Sequence, residues 1–190
     1  MPNWTENELT ITGPDVQKVL SAICSTNPLD EDTQVLDFDR IIPYPEQFKA
    51  LDLRNVEYQG KFFAIDSDDP ERQTKLETLG AEYGVEPGTP WLEDGYNSGG
   101  YDWCCDQWGT KWNASHPTLE LRPDGSAFIA FDTAWSPPIP VIEKLAEMFP
   151  DHQFDLEYFE GGMGFRGAAR YENGSEAYHD QGEYSGPRGG

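Results

Sequence analysis

The chain has 190 residues and a formal charge of -22, from 35 acidic against 13 basic side chains. Nucleic-acid backbones are held by Lys and Arg that displace counterions, so direct nucleic-acid binding is disfavoured. No apolar run approaches the ~18 residues of a membrane span, and three cysteines, two of them adjacent, do not make a disulfide framework.

The 6 Trp, 9 Tyr and 10 Phe supply enough apolar bulk for a folded core. The opening MPNWTENEL lacks the basic and apolar regions of a signal peptide, and with the cysteine usage this points to the cytoplasm. Acids are spread over the whole length, so the field surrounds the molecule and would steer in a basic partner.

Residues 4–12 (WTENELTIT) alternate toward their end and predict a half-buried strand. Gly13-Pro14-Asp15 then starts a helix, with Val16, Val19, Leu20 and Ile23 at helical spacing and an end near 25–28. Cys24 reads as core. An acidic loop (Asp30, Glu31, Asp32) leads to a strand-like run over 35–42, and Pro43-Tyr44-Pro45-Glu46 turns the chain. Asp69-Pro70-Glu71 reads as the start of a helix running to about Tyr83. Residues 84–100, rich in Gly and Pro, read as irregular, and YDWCCDQW (101–108) as helical.

Further on, 119–121 and 127–131 flank Pro123-Asp124-Gly125, a hairpin signal. Pro137-Pro138-Ile139-Pro140 opens a helix whose apolar face is Val141, Ile142, Leu145, Met148 and Phe149. Phe154, Leu156 and Tyr158 alternate in a strand, and Glu160-Gly161-Gly162-Met163 turns into another over 164–171. The expected architecture is an α+β, ferredoxin-like βαββαβ sandwich with an extra C-terminal strand. It forms one domain over 1–172, with a large irregular insertion at about 29–110 after the first helix. A Gly/Ser/acid-rich tail, 173–190, is expected to be partly disordered.

The segments MPNWTENELTITG (1–13), FDRIIPYPE (38–46), GTKWNA (109–114), FDTAWSPPIPVIEKLAEMFP (131–150) and GGMGF (161–165) resemble the YubB ferredoxin-like family. That family is carried by bacteriophages, conjugative plasmids and genomic islands. The resemblance implies the ferredoxin-like fold and a mobile-element origin, and it brings no established activity, cofactor or catalytic residue.

Chemical motifs are sparse. Cys104 and Cys105 with Asp102, Asp106 and His116 lack zinc spacing, and a helix turns adjacent cysteines about 100° apart. Asp66, Asp68 and Asp69 start like a calcium loop but run into Pro70. His116, His152 and His179 stand in polar contexts without a nucleophile motif, and His152 suits a helix exit. The glycines of 161–167 join strand to strand, so no helix N-terminus follows to hold phosphate. Phe128, Phe131, Phe154 and Tyr158 would mimic an RNA-binding sheet, yet acids surround them.

No catalytic residue, metal or cofactor is therefore expected. The expected partner-binding surface is Trp91, Glu93, Asp94, Tyr101, Asp102, Trp103, Asp106 and Trp108, an aromatic group with acidic rims. The reading is a non-enzymatic accessory protein that binds a basic host protein, as an inhibitor imitating the phosphate field of DNA. The alternatives are a small-ligand binder or enzyme using the same Trp-rich cleft, and an assembly component that dimerises through sheet edges.

Overall fold

The alternation of WTENELTIT becomes β1 (Trp4–Thr12), an interior strand of a six-stranded sheet. In the computed structural model, which describes residues 3–27 and 30–186, Thr5, Asn7, Leu9 and Ile11 of this strand are buried while Glu6 and Glu8 are exposed. Asp15 turns the chain with φ 49, and α1 (Val16–Ile23) buries the expected stripe Val16, Val19, Leu20 and Ile23. The helix ends earlier than expected because Cys24 begins β2 (Cys24–Asn27), which pairs antiparallel with β3 (Asp30–Leu36). Residues 28 and 29 lie outside the described ones.

The acidic segment 30–32 is thus strand, and the strand expected over 35–42 stops at Leu36. There the Asp37 carboxylate accepts from the Asp39 N–H and starts a 3-10 turn, Phe38–Arg40, with Phe38 buried.

The insertion expected to be irregular is folded. Tyr44–Tyr101 form a compact unit of their own, and the rest of the chain forms the other. Its first helix, α2 (Glu46–Phe63), was not signalled by the sequence. Its apolar residues do not make one stripe: Tyr58 is buried, whereas Leu53, Val56 and Phe63 are exposed on another side. The second helix, α3 (Arg72–Tyr83), starts just after the expected Asp69-Pro70-Glu71, whose Asp69 accepts from the Glu71 N–H. Tyr58, Leu79 and Leu92 form the core of this unit, with Phe62, Tyr83 and Val85 against it. The Asn55 side-chain Oδ1 ties down the chain beyond α3 by accepting from the Leu92 N–H at 2.9 Å. A wide turn, Tyr96–Gly100, then runs into α4 (Tyr101–Gln107).

The remaining elements follow expectation until the C-terminus. They are β4 (Ser115–Leu121), β5 (Ala127–Ala134), α5 (Ile139–Met148), β6 (Gln153–Glu160) and β7 (Phe165–Glu172). Between β4 and β5, the Asp124 carboxylate closes the turn by accepting from the Ser126 N–H and hydroxyl.

The tail expected from residue 173 instead doubles back as β8 (Ser175–Glu183). Asn173 and Gly174, at φ 53 and 77, make the two-residue turn whose twist suits a hairpin. Residues 187–190 lie outside the described ones.

Strand order is β4-β5-β1-β6-β7-β8, every neighbouring pair antiparallel. The run β4-β5-β1-β6, crossed by α1 and α5, is the ferredoxin-like arrangement, and β7 and β8 extend it by two strands instead of one. Leu9, Ile11, Ile129, Phe154 and Leu156 are fully buried against the apolar faces of α1 and α5. Each such side chain contributes roughly 1.5–3 kcal/mol.

The added strands are tied to this core by Tyr158. Its ring lies over Gly167, the cross-strand partner in β7, and its hydroxyl is 2.8 Å from Nε2 of His179 in β8. A Cβ on Gly167 would come 2.2 Å from that hydroxyl, so the position requires glycine for close approach. Tyr158→Phe should cost about 1 kcal/mol by removing one hydrogen bond. Gly167→Ala should cost more, because the ring itself must move. Urea denaturation of the two variants checks this order, and β8 amides should exchange faster in both.

Candidate partner-binding face

The residues picked out in the sequence do not fall on one surface of one unit. Trp91, Glu93, Asp94 and Tyr101 belong to the unit of residues 44–101; Asp102, Trp103, Asp106 and Trp108 belong to the other. Trp91 is 63% exposed. Asp94 and Glu93 close a local turn: Asp94 accepts from the Asn97 N–H at 2.7 Å, and Glu93 accepts from the Ser98 hydroxyl. Tyr101 meets Tyr96 edge-on at 5.7 Å.

On α4, Asp102 and Asp106 are exposed and Trp103 is half-buried. Trp108 is core: its indole N–H donates to the Ile42 carbonyl at 2.9 Å, and its ring meets Phe38 and Trp103 edge-on.

A face that the sequence reading passed over is more distinctive. The sheet has α1 and α5 on one side, while its other side carries exposed or half-buried residues. Strand register places them in rows across the sheet. One row runs Asp132, Glu6, Phe159, Arg166, Gly182, and the next runs Ala130, Glu8, Glu157, Ala168, Asp180. Glu8 and Glu157 are therefore direct cross-strand neighbours of like charge, an arrangement that destabilises a sheet. The small residues Ala168 and Gly182 leave a trough of about 500 Å³ across β1, β6, β7 and β8. Phe159 stacked on Tyr184, centroids 5.0 Å apart at 23°, adds an aromatic wall.

Charge on this face is only partly compensated. In the row beyond, Asp155 is paired with Arg170. Asp132 faces Nδ1 of His116 at 3.1 Å. Desolvation, with the neighbouring carboxylates of Asp132 and Glu8, pushes the Glu6 carboxyl above the usual glutamate range. The pattern was present in the sequence as Glu6 and Glu8 alternating out of β1, but the row needed the register with β6.

This geometry corrects the aromatic pattern of an RNA-binding sheet. Phe131, Phe154 and Tyr158 point into the helix-covered core, and of the four only Phe128 lies on the exposed face, under the guanidinium of Arg122 at 4.5 Å.

Other chemical groups have structural partners. Burial pushes the Cys24 thiol up to about 11, and Cys104 is buried. His152, at the exit of α5, is buried with Nε2 2.6 Å from the Pro14 carbonyl. Asp66 accepts from the Asp68 N–H. Among the described residues, no three His, Cys, Asp or Glu side chains gather to hold a metal ion, and no helix is long and apolar enough to cross a membrane.

Residues 107–186 match a family model described as the ferredoxin-like domain in Api92-like protein. The match spans β4 to β8 and thus the β6–β8 side of the trough. The crystal structure of a protein api92 from Yersinia pseudotuberculosis is similar over 98% of this chain and 100% of its own, at 17% identity and a TM-score of 0.49. No curated protein matches the chain. The family model supports the ferredoxin-like fold.

The raised Glu6 carboxyl sets a sign. Its proton is held more tightly in the folded protein than in the unfolded one, so its contribution is favourable in acid and is lost as pH rises through the raised value. Glu6→Gln should therefore raise the melting temperature at neutral pH, with the gain closing below the ordinary glutamate range. Glu157→Gln should also stabilise at neutral pH, by about 0.2–1 kcal/mol. Melting curves across pH check both.

Proposed function

We propose that the chain is a non-enzymatic binding protein that holds a basic protein partner on the acidic side of its sheet. The observation carrying this is the carboxylate row, Glu8 beside Glu157 with Asp180 beyond, lining a trough on an exposed face in which the acids, with Glu6, outnumber the one lining cation, Arg166. A sheet that keeps like charges opposed at a cost to its own stability is suited to a ligand that neutralises them. The charge of -22 adds long-range attraction for a cationic surface and repels nucleic acid.

The resemblance to YubB proteins of bacteriophages, plasmids and genomic islands supports a narrower reading. In it, the partner is a host defence or nucleic-acid-binding effector, and the carboxylate field takes the place of DNA phosphates in its basic groove. The compartment is then the host cytoplasm.

Pulldown from a host lysate at low and high salt, followed by titration of the captured partner, tests this. The captured protein should be basic. Because the Debye length shortens from roughly 30 Å at 0.01 M to roughly 8 Å at 0.15 M ionic strength, affinity should fall steeply over that range. The Glu8→Gln, Glu157→Gln double variant should bind about tenfold more weakly while folding at least as stably. A partner whose affinity ignores both salt and the double variant would overturn the proposal.

A further inference from the structure

The two edges of the main sheet are not alike. At the β4 edge, Pro117 sits inside the strand, His116 has φ 49 and the register with β5 shifts between Ser115 and Thr118; β3 also lies beside it. Those are the devices by which edges are closed to further pairing. The β8 edge has neither a proline nor a positive φ, although α5 comes near the strand. It runs nine residues, every one exposed, without Pro or Lys. Its one register shift skips Ala177 of β8, opposite Arg170 and Tyr171, and so precedes the stretch 179–183.

Hydrogen-bond phase identifies the free groups. Tyr184 N–H donates to the Gly164 carbonyl at 2.7 Å. In an antiparallel ladder paired residues alternate, so Asp180 and Gly182 turn their backbone groups toward β7, while His179, Gln181 and Glu183 turn theirs outward. The side chain of Asp180 falls on the trough side, in the row of Glu8, Glu157 and Ala168, and Gly182 leaves the neighbouring position bare. The strand itself contributes Glu176, Asp180 and Glu183.

We infer that the β8 edge receives an extended, basic segment of the partner protein as a seventh strand. This rests on the reading above that the partner is a basic protein, and it adds how that partner is held. Main-chain bonds to residues 179, 181 and 183 supply register, and every second side chain of the added strand falls on the trough side. A Lys or Arg there meets Asp180 directly. The bare backbone at Gly182 opens the trough beside it, and the carboxylates farther in take the remaining charge of the partner.

The test uses the full chain and a short peptide of alternating Lys and Thr, in an unmodified form and in a form N-methylated on the residues whose N–H would pair with β8. Titration calorimetry at low salt should show the unmodified peptide binding and the methylated one at least about tenfold weaker, since charge is equal and only backbone donors are lost. Gln181→Pro removes one outward N–H and leaves the ladder to β7 whole; it should weaken the unmodified peptide by a similar factor, whereas Gln181→Ala should not. Thermal melting reports whether Gln181→Pro is folded, and the methylated peptide tests the same bond without any change to the protein.

Equal binding of both peptides, unaffected by Gln181→Pro, overturns the added strand and leaves the acidic trough standing. Failure of both peptides to bind at low salt overturns the trough reading as well. Self-association of the free protein that Gln181→Pro abolishes would assign the edge to a second copy of the chain, which also overturns the inference.

Discussion

Everything else in this molecule depends on the placement of β1 between β5 and β6. A strand paired on both sides passes its two-residue alternation to both neighbours. Leu9 is level with Ile129 and Leu156, and Ile11 with Ala127 and Phe154, which makes the core under α1 and α5. The same pairing places Glu6 level with Asp132, and Glu8 level with Glu157, on the other face. A slip of one residue would drive these carboxylates into the core, so burial of Leu9 and Ile11 enforces the carboxylate row. Core and candidate site are two faces of one register.

This coupling explains how an unfavourable charge arrangement persists. Opposed carboxylates on a sheet weaken it, but the loss is small against the several apolar side chains that the register buries. Local relief exists where the fold does not reserve the charge: Asp155 is paired with Arg170, and Asp132 lies within hydrogen-bond distance of the His116 ring. Glu8 and Glu157 keep each other as direct neighbours, with Ala168 in their own row and Arg166 one row away. The chain has only 13 basic residues for 35 acidic ones, so compensation is selective, and where it is missing the surface has the most to gain from a cationic partner.

The Tyr158–His179 contact gives the two added strands their function in this scheme. Without β7 and β8 the exposed face would end at β6, and the carboxylates would stand on an open edge. Tyr158 reaches from the core side over Gly167 and locks β8 in place, so the opposite side gains Ala168, Asp180 and Gly182 as floor and rim. A core contact thereby shapes a surface site on the other side of the same strands.

Local chemistry made much of the architecture legible in the sequence. WTENELTIT declared a half-buried strand, Val16 to Ile23 a helix face, Pro123-Asp124-Gly125 a turn and Pro137-Pro138 a helix start, because each is governed by neighbours a few residues away. Asn173-Gly174 carried the same kind of signal for β8, but the acidic, fully exposed strand beyond it lacks the alternation that normally confirms one. Helix α2 was hidden for a related reason, its apolar residues being split between the unit's core and solvent. The Trp-rich group misled in one respect: an indole looks the same in a sequence whether it binds a partner or, like Trp108, packs on Phe38 and bonds Ile42. By itself the sequence determined the types of the core elements β1, α1, β4, β5, α5, β6 and β7, the acidic field and the ferredoxin-like order. Only the tertiary structure decided that Glu8 stands against Glu157, that Tyr158 secures β8, and that the two sheet edges differ, because cross-strand register joins residues that are distant in the chain, 21 positions for Tyr158 and His179 and more than a hundred for Glu8 and Glu157.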